Sequence, residues 1–411
     1  SLYLHQNKTL NRNAIIANYD SFFLYDRTMD EVKDQTRMKS YWTPMWHQSM
    51  AKGLWGGRLI GRNKTVCFRV KSNLSGENVR LRFSNLTGKE DYQIGSLVLW
   101  INQKPYPITM HGKLDFIVLL GSCSYSDIIT LPKPIRDEIE VRIYFKSFVN
   151  DMNGTEEDAS LYYGDKTYLK GSLPKPKVPL MYKLMGLYVP VPTLDRIEIQ
   201  TMNKPKVIVA FGDSITSMNR WVKPLSNRLN NAFGSEFTLI NAGIPGNCLL
   251  YEVKNAFGDI FGQKGIDRFK RDVLDVEHLQ TVIFGLGIND TSYYKAETEE
   301  WINFERFTSS LKALAEIAHA HSIRIIVQTL SPRLGFKLLR YTTEMEALRV
   351  QINAWIRTCG LFDGVFDVDA IVCDSNTGNT IDDRYHQGDH LHPNSLGGQV
   401  LADAFDISMI Y

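Results

Sequence analysis

Lys206–Thr216 reads KVIVAFGDSIT, and this stretch decides the fold class. Val207–Phe211 is a continuous apolar run with no polar alternation. Such a run suits a strand covered on both faces, as in a parallel sheet. A helical stretch at about Trp221–Phe233 follows. The pattern then repeats: strand Phe237–Asn241, helix near Ile266–Leu274, strand Thr281–Leu286, helix near Trp301–His321. Strand Arg324–Thr329, helix near Thr342–Thr358, strand Gly364–Val368 and helix Ser395–Phe405 complete it. Five alternations predict an α/β domain, a parallel sheet with helices on both faces. Its chemistry belongs at the carboxyl ends of the strands.

Upstream the pattern differs. Thr65–Lys71, Val79–Phe83, Ile94–Ile101, Phe116–Leu120 and Glu138–Phe145 alternate with a period of two, punctuated by Gly, Asn and Pro. Short strands spaced in this way predict an antiparallel sandwich or jelly roll. Asn150–Asp158 is polar and reads as a loop. Ser172–Pro179 and Val189–Pro192 are proline-rich and read as a stiff, extended connection. Leu194–Gln200 reads as a last strand returning to the sandwich. The expected division is an all-β domain with its linker at residues 1–200 and an α/β domain at 201–411.

Composition narrows the function. Among 411 residues, 47 Lys+Arg stand against 45 Asp+Glu, a formal net charge of +2. That balance argues against nucleic-acid binding through a large basic face. No run approaches the roughly 20 apolar residues that span a bilayer. The five cysteines are widely spaced, with no CxxC or Cys/His cluster, so neither a zinc site nor a disulfide framework is expected. No signal-like segment opens the chain, and cytoplasm and export both stay open as compartments.

Four loops carry residues suited to chemistry. Ser214, directly after a buried strand and at the mouth of a helix, is placed as a nucleophile; the alternative is that Asp213, Ser214 and Thr216 only cap that helix. Asn241–Asn247 (NAGIPGN) is a glycine-rich turn that lets backbone approach a ligand. Gly287–Asp290 (GIND) ends the third strand; Asn289 either aims its amide at the same point or makes an Asn–Asp turn. In Asp389–Asn394 (DHLHPN) a carboxylate three residues before His392 can orient an imidazole. His390 and His392, spaced i and i+2, would alternatively ligate a metal.

Those blocks, in that order, resemble the SGNH hydrolase superfamily, also called GDSL esterases and lipases. The resemblance covers about residues 205–411 and implies a flavodoxin-like three-layer α/β/α fold. It implies a serine ester hydrolase without cofactor or metal. Ser214 would be the nucleophile, His392 the general base and Asp389 its orienting partner. The Ser214 and Gly246 N–H groups and the Asn289 side chain would form the oxyanion hole; Gly246 matches the motif better than Gly243. Many relatives continue GDSITDG, whereas Ser217-Met218-Asn219 stands here, which alters the rim of the pocket.

The first half, with NVRLRFSN at Asn78–Asn85 and IGSLVLW at Ile94–Trp100, resembles the β-sandwich of bacterial two-domain SGNH esterases, as does Asn219-Arg220-Trp221. Relatives of that kind often act on acylated carbohydrates, so the resemblance implies removal of an acetyl group from an oligo- or polysaccharide. A lipase or thioesterase for longer acyl chains is the alternative, and a catalytically silent carbohydrate-binding protein the third. Tyr41, Trp42, Trp46, Trp55, Trp100, Tyr106, Tyr162 and Tyr163 would either stack on sugar rings or fill the sandwich core. Tyr41–Trp55 would alternatively wall the cleft, and modification of Cys248 would crowd the site. Expected partners are a small-molecule or saccharide ester, with no nucleic acid and no membrane span.

Overall fold

Val207–Phe211 are all fully buried, as their unbroken hydrophobicity requires. In the computed structural model they form β1 (Lys206–Gly212) of a five-stranded parallel sheet. The structure describes residues 40–52, 62–71, 73–135, 138–149, 151–155, 162–171, 189–252, 261–293, 302–336 and 341–411. The remaining strands are β2 (Phe237–Gly243), β3 (Leu279–Gly285), β4 (Arg324–Gln328) and β5 (Gly364–Phe366). Their spatial order is β2-β1-β3-β4-β5, every pair parallel. The chain runs outward from β1 in one direction, then crosses to the other. The carboxyl end of β1 is therefore the switch point, where open α/β sheets leave a crevice.

Among the described residues the α-helices are α1 (Ser214–Ser217), α2 (Val222–Phe233), α3 (Gly265–Phe269), α4 (Phe304–Ala320), α5 (Thr343–Thr358), α6 (Val368–Val372) and α7 (Ser395–Ala404). Their starts follow capping chemistry. The Asn303 side chain accepts from the Arg306 N–H and that of Thr342 from the Met345 N–H, so α4 and α5 begin just past those residues. Trp301, expected in α4, lies outside the described residues. After Phe269, α3 widens into a π turn, Lys270–Leu274.

The upstream region is a sandwich of two antiparallel sheets. One sheet orders Tyr41–His47, Leu194–Thr201, Gly76–Ser84 and Cys123–Tyr125, with Ile129–Ile135 also on Gly76–Ser84. The other orders Tyr162–Gly164, Lys64–Lys71, Glu138–Phe145, Tyr92–Ile101 and Lys104–Ile108, with Phe116–Val118 also on Tyr92–Ile101. Val79, Leu81 and Phe83 meet Ile197, Ile199, Leu97, Leu99, Val141 and Ile143 in one core. The fold class expected from patterning is the one observed.

The loop expected at Asn150–Asp158 is different. Asp151–Thr155 pairs with Val189–Pro192, itself expected to be an unpaired connection. Both readings gave polarity and proline too much weight, since an edge strand tolerates proline where its N–H side faces out. Ser172–Pro179 lies outside the described residues.

The outward face of the first sheet carries charge instead of hydrocarbon. Arg80 pairs with Glu198 at 2.5 Å and Arg82 with Asp195 at 2.7 Å. The sandwich touches the parallel sheet through Thr238 Oγ1, which donates to the Pro44 carbonyl at 3.3 Å, and through Tyr41, edge-on to His278. Residues 40–411 thus form one compact unit. Among the described residues no helix is long and apolar enough to cross a membrane.

Candidate active site

β1 ends at Gly212, level with Gly243 of β2 and Gly285 of β3. A Cβ at Gly243 would sit 2.4 Å from the Ser217 nitrogen. Only glycine lets α1 press this closely on the strand ends. Asp213 caps α1, its Oδ1 accepting from the Ile215 N–H at 2.9 Å. Ser214 is then the first residue of the helix. Capping and display of the serine hydroxyl, rivals in the sequence, are thus divided between two adjacent residues.

His392 comes from the loop before α7. Its Nε2 lies 2.9 Å from Ser214 Oγ, and its Nδ1 lies 2.6 Å from Asp389 Oδ2. The Asp389 carboxylate also accepts from the Leu391 and His392 N–H groups and from the Gln387 amide. Partial burial raises the Asp389 carboxyl, but the His392 hydrogen bond and charge outweigh it and hold the group well below the usual carboxylate range. It stays ionised through neutral pH.

This loop is braced from several sides. Asn394 caps α7 through the Gly397 N–H and donates to the Arg384 and His386 carbonyls. Arg220 donates to the Pro393 carbonyl at 2.5 Å and to Gln387 Oε1 at 2.9 Å. Sequence reading singled out Arg220 without assigning it a part.

The Ser214 and Gly246 N–H groups have no hydrogen-bond partner among the described residues. Gly246 has φ +73°, which favours glycine, and a Cβ there would strike the Phe261 ring. The Gly243 N–H, by contrast, donates to Asn241 Oδ1 at 2.9 Å. Asn289 Nδ2 donates to the Asn247 carbonyl at 3.1 Å and lies 3.4 Å from Asp213 Oδ2. Burial pushes the Asp213 carboxyl up to about 7, against the Ile215 N–H and the Arg333 charge. Asp290 is raised by burial to about 7 as well, although it accepts from the Leu249 and Leu250 N–H groups.

His390 turns away from His392. It stacks on His386 with ring centroids 4.2 Å apart. Asp383, His386 and His390 come close enough to share an ion, yet His386 is a poor ligand. Its Nδ1 accepts from the Gly388 and His390 N–H groups. The ring proton must then sit on Nε2, which points at Asp383 Oδ1, 3.2 Å away. The paired ligation by His390 and His392 that their spacing allows is not what the fold makes.

Residues 210–400 match the model of the GDSL-like lipase/acylhydrolase family. That stretch is similar to the family. Among curated proteins none matches the chain. Among solved structures, a GDSL-like lipase from Bacteroides thetaiotaomicron VPI-5482 is 18% identical with a TM-score of 0.37, covering 50% of this chain and 91% of its own. A variant of an acetyl xylan esterase from Geobacillus stearothermophilus is 19% identical with a TM-score of 0.39, covering 50% and 94%.

Within residues 210–400 a small pocket lies beside the Ser214 turn. It is lined by both polar and apolar groups, among them Asp213, Gln328, Ser331, Ile215, Ile288 and Leu330. Cys248 is buried with its thiol pushed well up by burial, so the expected sensitivity to thiol reagents is withdrawn. Upstream of this stretch, several of the aromatics weighed for sugar stacking have neighbours in the sandwich. Trp46 and Tyr106 pack on the sandwich core. Arg80 lies over Trp42 at 4.4 Å and Arg142 over Trp100 at 4.1 Å. Trp55 and the side chains of Tyr162 and Tyr163 lie outside the described residues. Within the Tyr41–Trp55 segment, Ala51 borders Gly262 beside Ile244 on the loop after β2.

Proposed function

We propose that this protein hydrolyses carboxylic esters through an acyl-enzyme on Ser214 and that its natural reaction removes a short acyl group, acetyl above all, from a carbohydrate. One observation carries the chemistry: the continuous chain Ser214 Oγ, His392 Nε2, His392 Nδ1, Asp389 Oδ2, with links of 2.9 and 2.6 Å. A serine hydroxyl is a weak nucleophile until a base takes its proton.

In this reading His392 accepts that proton as Oγ bonds the ester carbon. The carbonyl π pair moves onto oxygen. The oxyanion meets the Ser214 and Gly246 N–H groups and the Asn289 amide. His392 then returns the proton to the leaving alkoxide as the C–O bond breaks. A water repeats the sequence and releases the acid. Asp389, anionic throughout, favours the imidazolium that forms twice per turnover. The division into an all-β part, residues 1–200, and a catalytic part, 201–411, belongs to the same proposal.

The short acyl group rests on the resemblance of the sequence to two-domain esterases that act on acylated carbohydrates. The sugar alcohol is supported by the sandwich preceding the hydrolase, the organisation of the esterases that the sequence resembles. Hydrolysis of p-nitrophenyl esters of increasing length tests the acyl preference. Turnover is expected to be highest on acetate and to fall steeply by octanoate; the reverse order would make the protein a long-chain lipase or thioesterase. Acetate release from acetylated polysaccharides, with Ser214→Ala as the blank, tests the alcohol.

Asn289→Ala removes one oxyanion donor and is expected to lower kcat by about 10²–10³-fold, roughly 3–4 kcal/mol in the barrier. A kcat within a few-fold of wild type would take Asn289 out of the oxyanion hole.

A further inference from the structure

Asn247, next to Gly246, is 1% exposed, and every polar group that it has is used. Its Nδ2 donates to the Phe261 and Gln263 carbonyls, both at 2.7 Å. Its Oδ1 accepts from Arg268 Nε at 2.9 Å. Its N–H donates to the Ile244 carbonyl at 3.1 Å, closing the turn that holds Gly246 at positive φ. Its carbonyl accepts from Asn289 Nδ2.

Arg268, fully buried, extends from α3 behind the strand ends. It donates to the Gly212 and Ala242 carbonyls, each at 2.8 Å, and pairs with Asp272 at 2.9 Å. Its guanidinium lies over the Phe211 ring at 4.0 Å. Strands β1 and β2 and the loop after β2 are thus tied to one guanidinium.

We infer that Asn247 is the positioning residue of the oxyanion hole: its side chain fixes the turn that presents the Gly246 N–H, and its carbonyl aims the Asn289 amide. Arg268 anchors Asn247 to the ends of β1 and β2. The inference rests on the proposed roles of Gly246 and Asn289 as donors. Oxyanion donors work because they are already aimed when the charge develops. A donor that must first reorient loses that advantage, and a misplacement of about 1 Å can cost about 100-fold. Substrate in its ground state makes little use of these donors, so the loss falls on kcat and leaves KM.

The test is a double-mutant cycle on p-nitrophenyl acetate with wild type, Asn247→Ala, Asn289→Ala and the double variant, each checked for folding by circular dichroism and Tm. Asn247→Ala is expected to lower kcat about 10- to 100-fold with KM within about threefold. In the Asn289→Ala background it is expected to cost distinctly less, because part of its effect runs through that amide. Losses that multiply in full, a kcat within about threefold of wild type, or a change confined to KM would each overturn the inference. Should Asn247→Ala not fold, Arg268→Lys serves with the same expectation, since lysine keeps the charge facing Asp272 but cannot reach all of the acceptors. Full activity in Ser214→Ala or Asn289→Ala would instead refute the underlying assignment of the site, whatever Asn247 does.

Discussion

Ser214→Ala is expected to lower kcat by about 10⁶-fold, the size of effect seen when the serine of such a triad is removed. In barrier height that is about 8 kcal/mol. The loss is large because, in the proposed mechanism, the hydroxyl is the atom that bonds the ester carbon, and the Cys248 thiol is buried and held protonated and so does not replace it. The fold should hardly respond. Among the described residues the Ser214 side chain bonds only His392, while α1 keeps its Asp213 cap and its own main-chain bonds. Tm should stay within a few degrees. Turnover near the wild-type rate in a well-folded sample would mean that another nucleophile does the work.

His392→Ala is the companion experiment, with a similar expected loss, about 10⁶-fold in kcat. Its control is His390→Ala, two residues away. The two imidazoles lie in the same block, and their spacing alone does not say which one serves the serine. The geometry separates them: His392 reaches Ser214 Oγ at 2.9 Å, whereas His390 stacks on His386. His390→Ala should therefore cost no more than about tenfold, through slackening of the loop. Equal losses, or activity abolished by EDTA and restored by a divalent metal, would show that the Asp383–His386–His390 group takes part in the chemistry.

The legibility of the fold followed burial. Val207–Phe211, Thr281–Gly285 and Glu138–Phe145 lie in strands because their patterns leave no other stable arrangement of apolar side chains. Asp151–Thr155 was misread because its pairing with Val189–Pro192 rests on main-chain hydrogen bonds, which side-chain pattern does not record. The four loop blocks were legible for a different reason. Three follow a strand end and the fourth precedes the last helix, and each combines residue types that have few structural uses together. Arg268 and Asn247 were not singled out, since an arginine in an amphipathic helix reads as solvent-facing until the strand ends that it binds are in place.

The sequence by itself determined which half would be sandwich and which parallel sheet, and which loops hold the candidate site residues, because hydrophobic period and local turn chemistry act over a few residues. Only the tertiary structure decided which histidine meets the serine, which glycine N–H is left without a partner among the described residues, and how a buried guanidinium ties the strand ends together. Those choices depend on distances between segments up to 178 residues apart, and separations in space are set by packing of the whole chain.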